Sequence, residues 1–205
     1  MKLGKMNKKG IELPLSAIIT IILMVIILSG GLVLTFRFFA GAEEISAEID
    51  RSTKEQITSL LRTGNTIVSI PFNKAKLSRG EQKVFAVGIR NVGEKGAFSI
   101  KVEFDAAYDL NEKQISGISQ EFVEDRWLGG FSTIANIHIE KNKIEVVPVL
   151  IKTNDISPQA SAPHGIYVFN VCVYKDTIPP LAPCQPEQPL DAFYAKRMHQ
   201  IFIEL

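Results

Sequence analysis

The chain has 205 residues and a formal charge of only +1, from 23 lysines and arginines against 22 aspartates and glutamates, with two cysteines and three histidines. Five of the bases and one of the acids lie at or before Arg37, which leaves 18 bases against 21 acids in the remainder. The basic stripe of a nucleic-acid binder is therefore missing, and no P-loop, G-x-S-x-G, HExxH or dinucleotide fingerprint marks an enzyme.

The first predicted element is apolar. Leu13 to Phe36 is 24 residues without a charge, and as a helix it would be about 36 Å long, enough for a hydrocarbon core of about 30 Å. A secretory signal has an apolar region of about 7 to 15 residues, so this run is too long for one. Pro14 suits a first helical turn, Ser16, Thr20, Ser29 and Thr35 can bond their own backbone, and Gly30-Gly31 marks a bend or a close helix contact. Lys2, Lys5, Lys8 and Lys9 precede the run, so the positive-inside rule puts Met1 in the cytoplasm and everything after about Ala40 outside. These readings divide the start of the chain into a basic cytoplasmic leader (1–10) and a transmembrane helix (11–39).

The junction "KKGIELPL" resembles the class III signal peptide of archaellins and archaeal type IV pilins, whose peptidase cuts after such a glycine and leaves the apolar helix on the mature protein. The resemblance covers roughly residues 5–40 and implies processing between Gly10 and Ile11. It also implies a pairing of Glu12 with the new amino group of a neighbouring subunit, and helix packing along Leu15 to Val33. The pilin pattern carries its glutamate at the fifth mature position; here Leu15 is fifth and Glu12 second. The alternative is that Lys8 and Lys9 are flanking charges of an uncleaved anchor.

From 40 to 64 the period is helical, with Ile45, Ile49, Ile57 and Leu61 on one stripe and Gly64 as a C-cap. Joined to the apolar run, this stem would make one helix of about 50 residues, about 75 Å. Its stripe packs on the chain's own β domain or on helices of other subunits.

Beyond residue 65 the period becomes two. "AFSIKVEFD" alternates strictly, and similar runs lie at 65–72, 82–91, 134–141, 143–152, 165–175 and 197–205. Seven such strands predict an immunoglobulin-like β-sandwich over 65–205. "LSRGEQKVFAVGIRNVGEKGAFSIKVEF" is similar to the opening hairpin of Ig-like modules of prokaryotic cell surfaces, and "PHGIYVFNVCVY" to their late strand. The stretch 107–133 is too long for a hairpin loop. It holds the only tryptophan, Trp127, which either touches a partner or pins the loop to the sandwich.

On strand 165–175, Tyr167, Phe169, Val171 and Val173 share the apolar face, which sends Asn170 and Cys172 outward. The facing loop "KDTIPPLAPCQPEQP" carries Cys184, and outside the cytoplasm the two thiols are expected to form a disulfide. His138, His164 and His199 lack metal-ligand spacing and read as surface residues.

The sequence thus predicts an α+β membrane-anchored chain, a long transmembrane and amphipathic helix followed by an all-β Ig-like sandwich of about seven strands. It is expected to have no enzymatic activity, cofactor, metal, nucleic-acid partner or small-molecule substrate. The resemblance implies a structural subunit of an archaeal type IV pilin-like surface filament, assembled through its hydrophobic N-terminal helix. The alternative is an uncleaved single-pass protein whose outer domain binds a cell-surface component, as archaellum stator proteins do. The expected location is the cell membrane, with the C-terminal domain extracellular, or an extracellular filament after cleavage.

Overall fold

A computed structural model describes residues 19–29, 51–176, 184–185 and 188–205. The chain divides into two compact units, Met1–Glu44 and Ile45–Leu205.

In the first unit, residues 19–29 are helical (α1). Eleven residues rise about 16 Å, half a hydrocarbon core. Among the described residues no helix is long and apolar enough to cross a membrane. Among those residues this overturns the expected single-pass anchor over 11–39 and the membrane location built on it; the remainder of that run, 11–18 and 30–39, lies outside the described residues. The continuous helix into a 40–64 stem would run through residues 30–50, among them Ile45 and Ile49, which lie outside the described residues. The described helix there, α2, is Arg51–Thr63, 13 residues.

The second unit holds eight strands in two sheets. A three-stranded sheet has the order β1-β3-β6, from Val68–Ser69, Gln82–Arg90 and Ile144–Lys152. A five-stranded sheet has the order β2-β8-β7-β4-β5, from Lys74–Lys76, His199–Glu204, Ile166–Lys175, Gly96–Tyr108 and Thr133–Ile139. The fold is mixed, which corrects the expected seven-stranded all-β Ig-like sandwich. The predicted first strand ends at β1, and the next segment, β2, joins the other sheet in parallel with β8. In the stretch expected to be a loop, Gln120–Leu128 forms a second helix of this unit, α3.

Alternation explains the core. Phe85, Val87 and Ile89 of β3 face Phe98, Ile100 and Val102 of β4 and Tyr167, Phe169 and Val171 of β7, all buried in one cluster. The outer face of the three-stranded sheet is covered by α2, whose Ile57 and Leu61, one turn apart, are fully buried against Ala86 with Val84, Ile144 and Val146 around them. The α3 helix starts at Ser119, whose hydroxyl accepts from Phe122 N, and stops at Gly129 in the left-handed region at φ 59°. It packs against β4 and β6 and delivers Val123, Trp127 and Leu128 to the core.

Candidate functional site

The most unusual surface is that of α1. Ile19 and every residue from Ile21 to Leu28 is apolar and more than half exposed, from 51% at Ile19 to 72% at Ile27. Eight consecutive positions span more than two turns, so this helix is apolar on all sides rather than along one stripe. Ser29 bonds the carbonyl of Val25 within the same helix. Such a helix requires cover all round, which one flat protein surface cannot provide. Gly10, Ile11 and Glu12, the residues assigned to processing and pairing, lie outside the described residues, as does Leu15.

The two cysteines are joined, with Cα atoms 5.8 Å apart. Both are fully buried with Tyr174 and Phe193. The outward face of β7 is thus not solvated as the alternation suggested. The chain around Cys184 and Phe193 lies over it, burying Asn170 and Cys172 on that side too. Tyr194 fixes this cover independently of the disulfide. Its N–H donates to Val173 O at 2.7 Å, its hydroxyl donates to Arg90 O at 2.9 Å, and its ring meets Phe98 edge-on.

Beneath the cover sits a buried ion pair. Glu103, 6% exposed, accepts from Lys101 Nζ at 2.6 Å with one oxygen and from the Cys184 amide with the other. Gln200 Nε2 donates to Asn170 Oδ1 at 3.0 Å in the same layer. Burial, and then the charge of Glu103, push the Tyr174 hydroxyl above its ordinary pKa. Lys101, Glu103, Asn170 and Gln200 each have a structural partner, so the layer reads as a clasp for the cover rather than as a reactive centre.

Trp127 is 1% exposed, stacked on Tyr167 and Phe169 at 4.7 and 5.9 Å, with Nε1 donating to Asp155 O at 3.0 Å. It pins its segment to the core, and its side chain is not available to a partner. Beside it, α3 presents a cleft of about 610 Å³ lined by Gln120, Glu121, Glu124, Asp125, Gly130 and Ser132. Glu124 accepts from Phe104 N at 3.1 Å and from Gln120 Nε2 at 2.9 Å, supplying an acceptor to a β4 donor where β5 no longer reaches. Burial raises its carboxyl pKa, against the pull of those hydrogen bonds.

His138 and His164 are exposed. His199 is half-buried, and desolvation with nearby Arg197 lowers its pKa to about 4, so it is neutral near pH 7. Among the described residues no group of histidines, cysteines and acids could hold a metal ion. Sequence reasoning missed Glu103 and Asn170 as buried groups. Their positions on the polar side of alternating strands gave no sign that the chain around Cys184 and Phe193 would cover them.

No family model matches the chain, and no curated protein matches it. Among solved structures, it is similar to a family 123 glycoside hydrolase from Clostridium perfringens, at 15% identity and a TM-score of 0.33 over 65% of this chain and 23% of that one. It is also similar to the alkylpurine DNA glycosylase AlkC of Pseudomonas fluorescens bound to abasic-site DNA, at 8% identity and a TM-score of 0.35 over 78% of this chain and 37% of that one. The chain spans well under half the length of either. Likenesses this weak bear on neither fold nor activity.

Proposed function

We propose that this chain is a structural subunit of an archaeal type IV pilin-like filament, joined to copies of itself through its apolar N-terminal segment. The observation that carries the reading is the all-round apolar surface of α1, a short way beyond the "KKG" junction that resembles a prepilin processing site. Identical helices packed side by side would cover that surface on every side, burying about 0.8 kcal/mol per methylene.

The second unit supports the reading by what its edges lack. Strand β1 has two residues and β2 three, flanked by lysines. Strand β5 is broken by a bulge at Asn136, which sits at φ 61°, and β6 carries Pro148 at its centre. Short, bulged, lysine-bearing or proline-bearing edges resist strand addition. Self-association through α1 is thus favoured over pairing of sheets. The disulfide suits an oxidising compartment, where such a filament would stand.

The test is the mass of the N-terminal peptide of the protein from its native cells, together with electron microscopy of the material that sediments. A chain that begins at Ile11 and is found in filaments is the expected result. A chain that keeps Lys8 and Lys9 and remains monomeric overturns the reading.

A further inference from the structure

The two described helices of the second unit carry opposite charge. The exposed face of α2 places Arg51, Lys54, Thr58 and Arg62 at spacings of three, four and four residues, along one side of the helix and lining a groove of about 390 Å³. Counting Glu55, α2 carries a net charge of +2. The α3 cleft carries Glu121, Glu124 and Asp125, and with Arg126 the helix has a net charge of −2. The only ion pairs within either helix are Arg51 with Glu55, on side chains 91% and 68% exposed, and a 3.8 Å contact of Asp125 with Arg126. Lys54, Arg62 and Glu121 make no ion pair among the described residues. The helices also occupy different parts of the unit. One lies over the outer face of the three-stranded sheet, and the other packs against β4 and β6 with its tryptophan in the core between the sheets.

We infer that the basic face of α2 on one copy docks into the acidic α3 cleft of the next, as a head-to-tail contact between successive subunits. The occupant is a second copy of this chain because the two patches match in charge, +2 against −2, and lie on non-equivalent surfaces. A contact between non-equivalent surfaces repeats without closing unless the rotation happens to close a ring. The inference rests on the filament reading and gives that assembly a second set of contacts, outside the apolar segment. Exposed charges at this distance from the core fix partner and register more than they add affinity, and they are screened by salt.

The experiment uses the full chain. Two variants are made, Lys54→Glu with Arg62→Glu, whose two helices are both acidic, and Glu121→Lys with Asp125→Lys, whose two helices are both basic. Both substitute exposed positions, and thermal unfolding checks that each is folded. Wild-type assemblies, made from isotopically light and heavy copies, are treated with a carbodiimide that joins lysine to carboxylate at zero length. Mixed-isotope peptides linking Lys54 to Glu121 or Asp125 are the expected product. Each variant alone should sediment about tenfold less, since two pairs turn from attraction to repulsion, and an equimolar mixture should regain the loss. Wild-type assemblies that lack the cross-peptides, or variants that assemble alone as well as wild type, overturn the docking and leave the filament reading standing. A wild-type chain that forms no assembly overturns both.

Discussion

Gly88 lies directly beneath Ile57: a Cβ placed on residue 88 would stand 2.2 Å from Ile57 Cγ2 and 2.8 Å from Leu61 Cδ1. Both contacts are shorter than carbon atoms tolerate, and both neighbours are fully buried. The missing side chain at 88 is what lets α2 lie flat on the three-stranded sheet.

Gly88→Ala should therefore lift or unseat α2 and destabilise the second unit by about 1–3 kcal/mol. In urea unfolding the midpoint falls, and hydrogen exchange rises in α2 more than in β7. Unchanged exchange across α2 would mean that the helix is not seated on Gly88.

Trp127 is expected to be worth more than any other side chain of its segment. Truncation to alanine removes a buried indole packed on Tyr167 and Phe169 and orphans the carbonyl of Asp155, at a cost of about 3–5 kcal/mol. As the only tryptophan, it also reports on itself. Its emission should be blue-shifted and resistant to acrylamide in the native protein, and a red-shifted, readily quenched spectrum would place it in solvent instead.

Much of the second unit was legible because its strands keep a strict alternation. The run 82–91 was predicted within one residue of β3, and 143–152 and 165–175 within one residue of β6 and β7. What alternation could not show is what lies on its polar side. Glu103 and Asn170 read as solvated, yet both are buried, because burial there depends on a contact made more than eighty residues away, between Glu103 and the Cys184 amide. The helix α3 was missed for a related reason. Its polar residues outnumber its apolar ones, and tertiary packing of Val123, Trp127 and Leu128 decides its conformation.

The clasp around Cys184 is both covalent and ionic. Replacing both cysteines by serine opens a loop of sequence separation 12 and should cost about 3 kcal/mol. Glu103→Gln removes the charge that Lys101 Nζ and the Cys184 amide both meet under the cover and should cost a similar amount, about 3 kcal/mol. The two effects share one anchored backbone atom, the Cys184 nitrogen, so the triple variant should lose less than the sum of the parts. Additive losses in chemical denaturation would separate the ion pair from the clasp.

His199 gives the fold a pH dependence of known sign. Its folded pKa, about 4, lies below the ordinary histidine value of about 6.5, because desolvation and Arg197 oppose its charge. Between those values the unfolded chain binds the extra proton, so stability is complete above pH 6.5 and is lost as the pH falls toward 4. The loss from this residue is on the order of 2 kcal/mol, allowing for the part of the ring that still meets solvent. Glu124, whose pKa is raised, acts in the opposite sense, favouring the fold as the pH falls through its own titration. His199→Gln isolates the first effect: stability measured at pH 7 and at pH 4.5 should differ less in the variant than in the wild type. An equal slope would mean that His199 titrates alike in the folded and unfolded chain.

Pro148 is expected to guard the free edge of β6. Thr153 N donates to Glu81 O, and Asn91 N to Lys143 O, so the ladder bonds between β3 and β6 fall on the odd-numbered residues of β3. Ala86 and Pro148 face each other between those bonds, which turns the Pro148 nitrogen outward, away from β3. There a proline costs the sheet nothing and denies an incoming strand one donor. Pro148→Thr keeps the β3 ladder intact and should leave the unfolding midpoint nearly unchanged, yet it restores an N–H to an edge whose remaining residues are mostly β-branched or aliphatic. The variant should sediment as sheet-rich aggregate that binds an amyloid dye, and it should do so whether or not α1 is present. If it stays as dispersed as wild type, the edge is guarded by something other than proline, and the argument that blunted edges leave self-association to the apolar helix loses one of its supports.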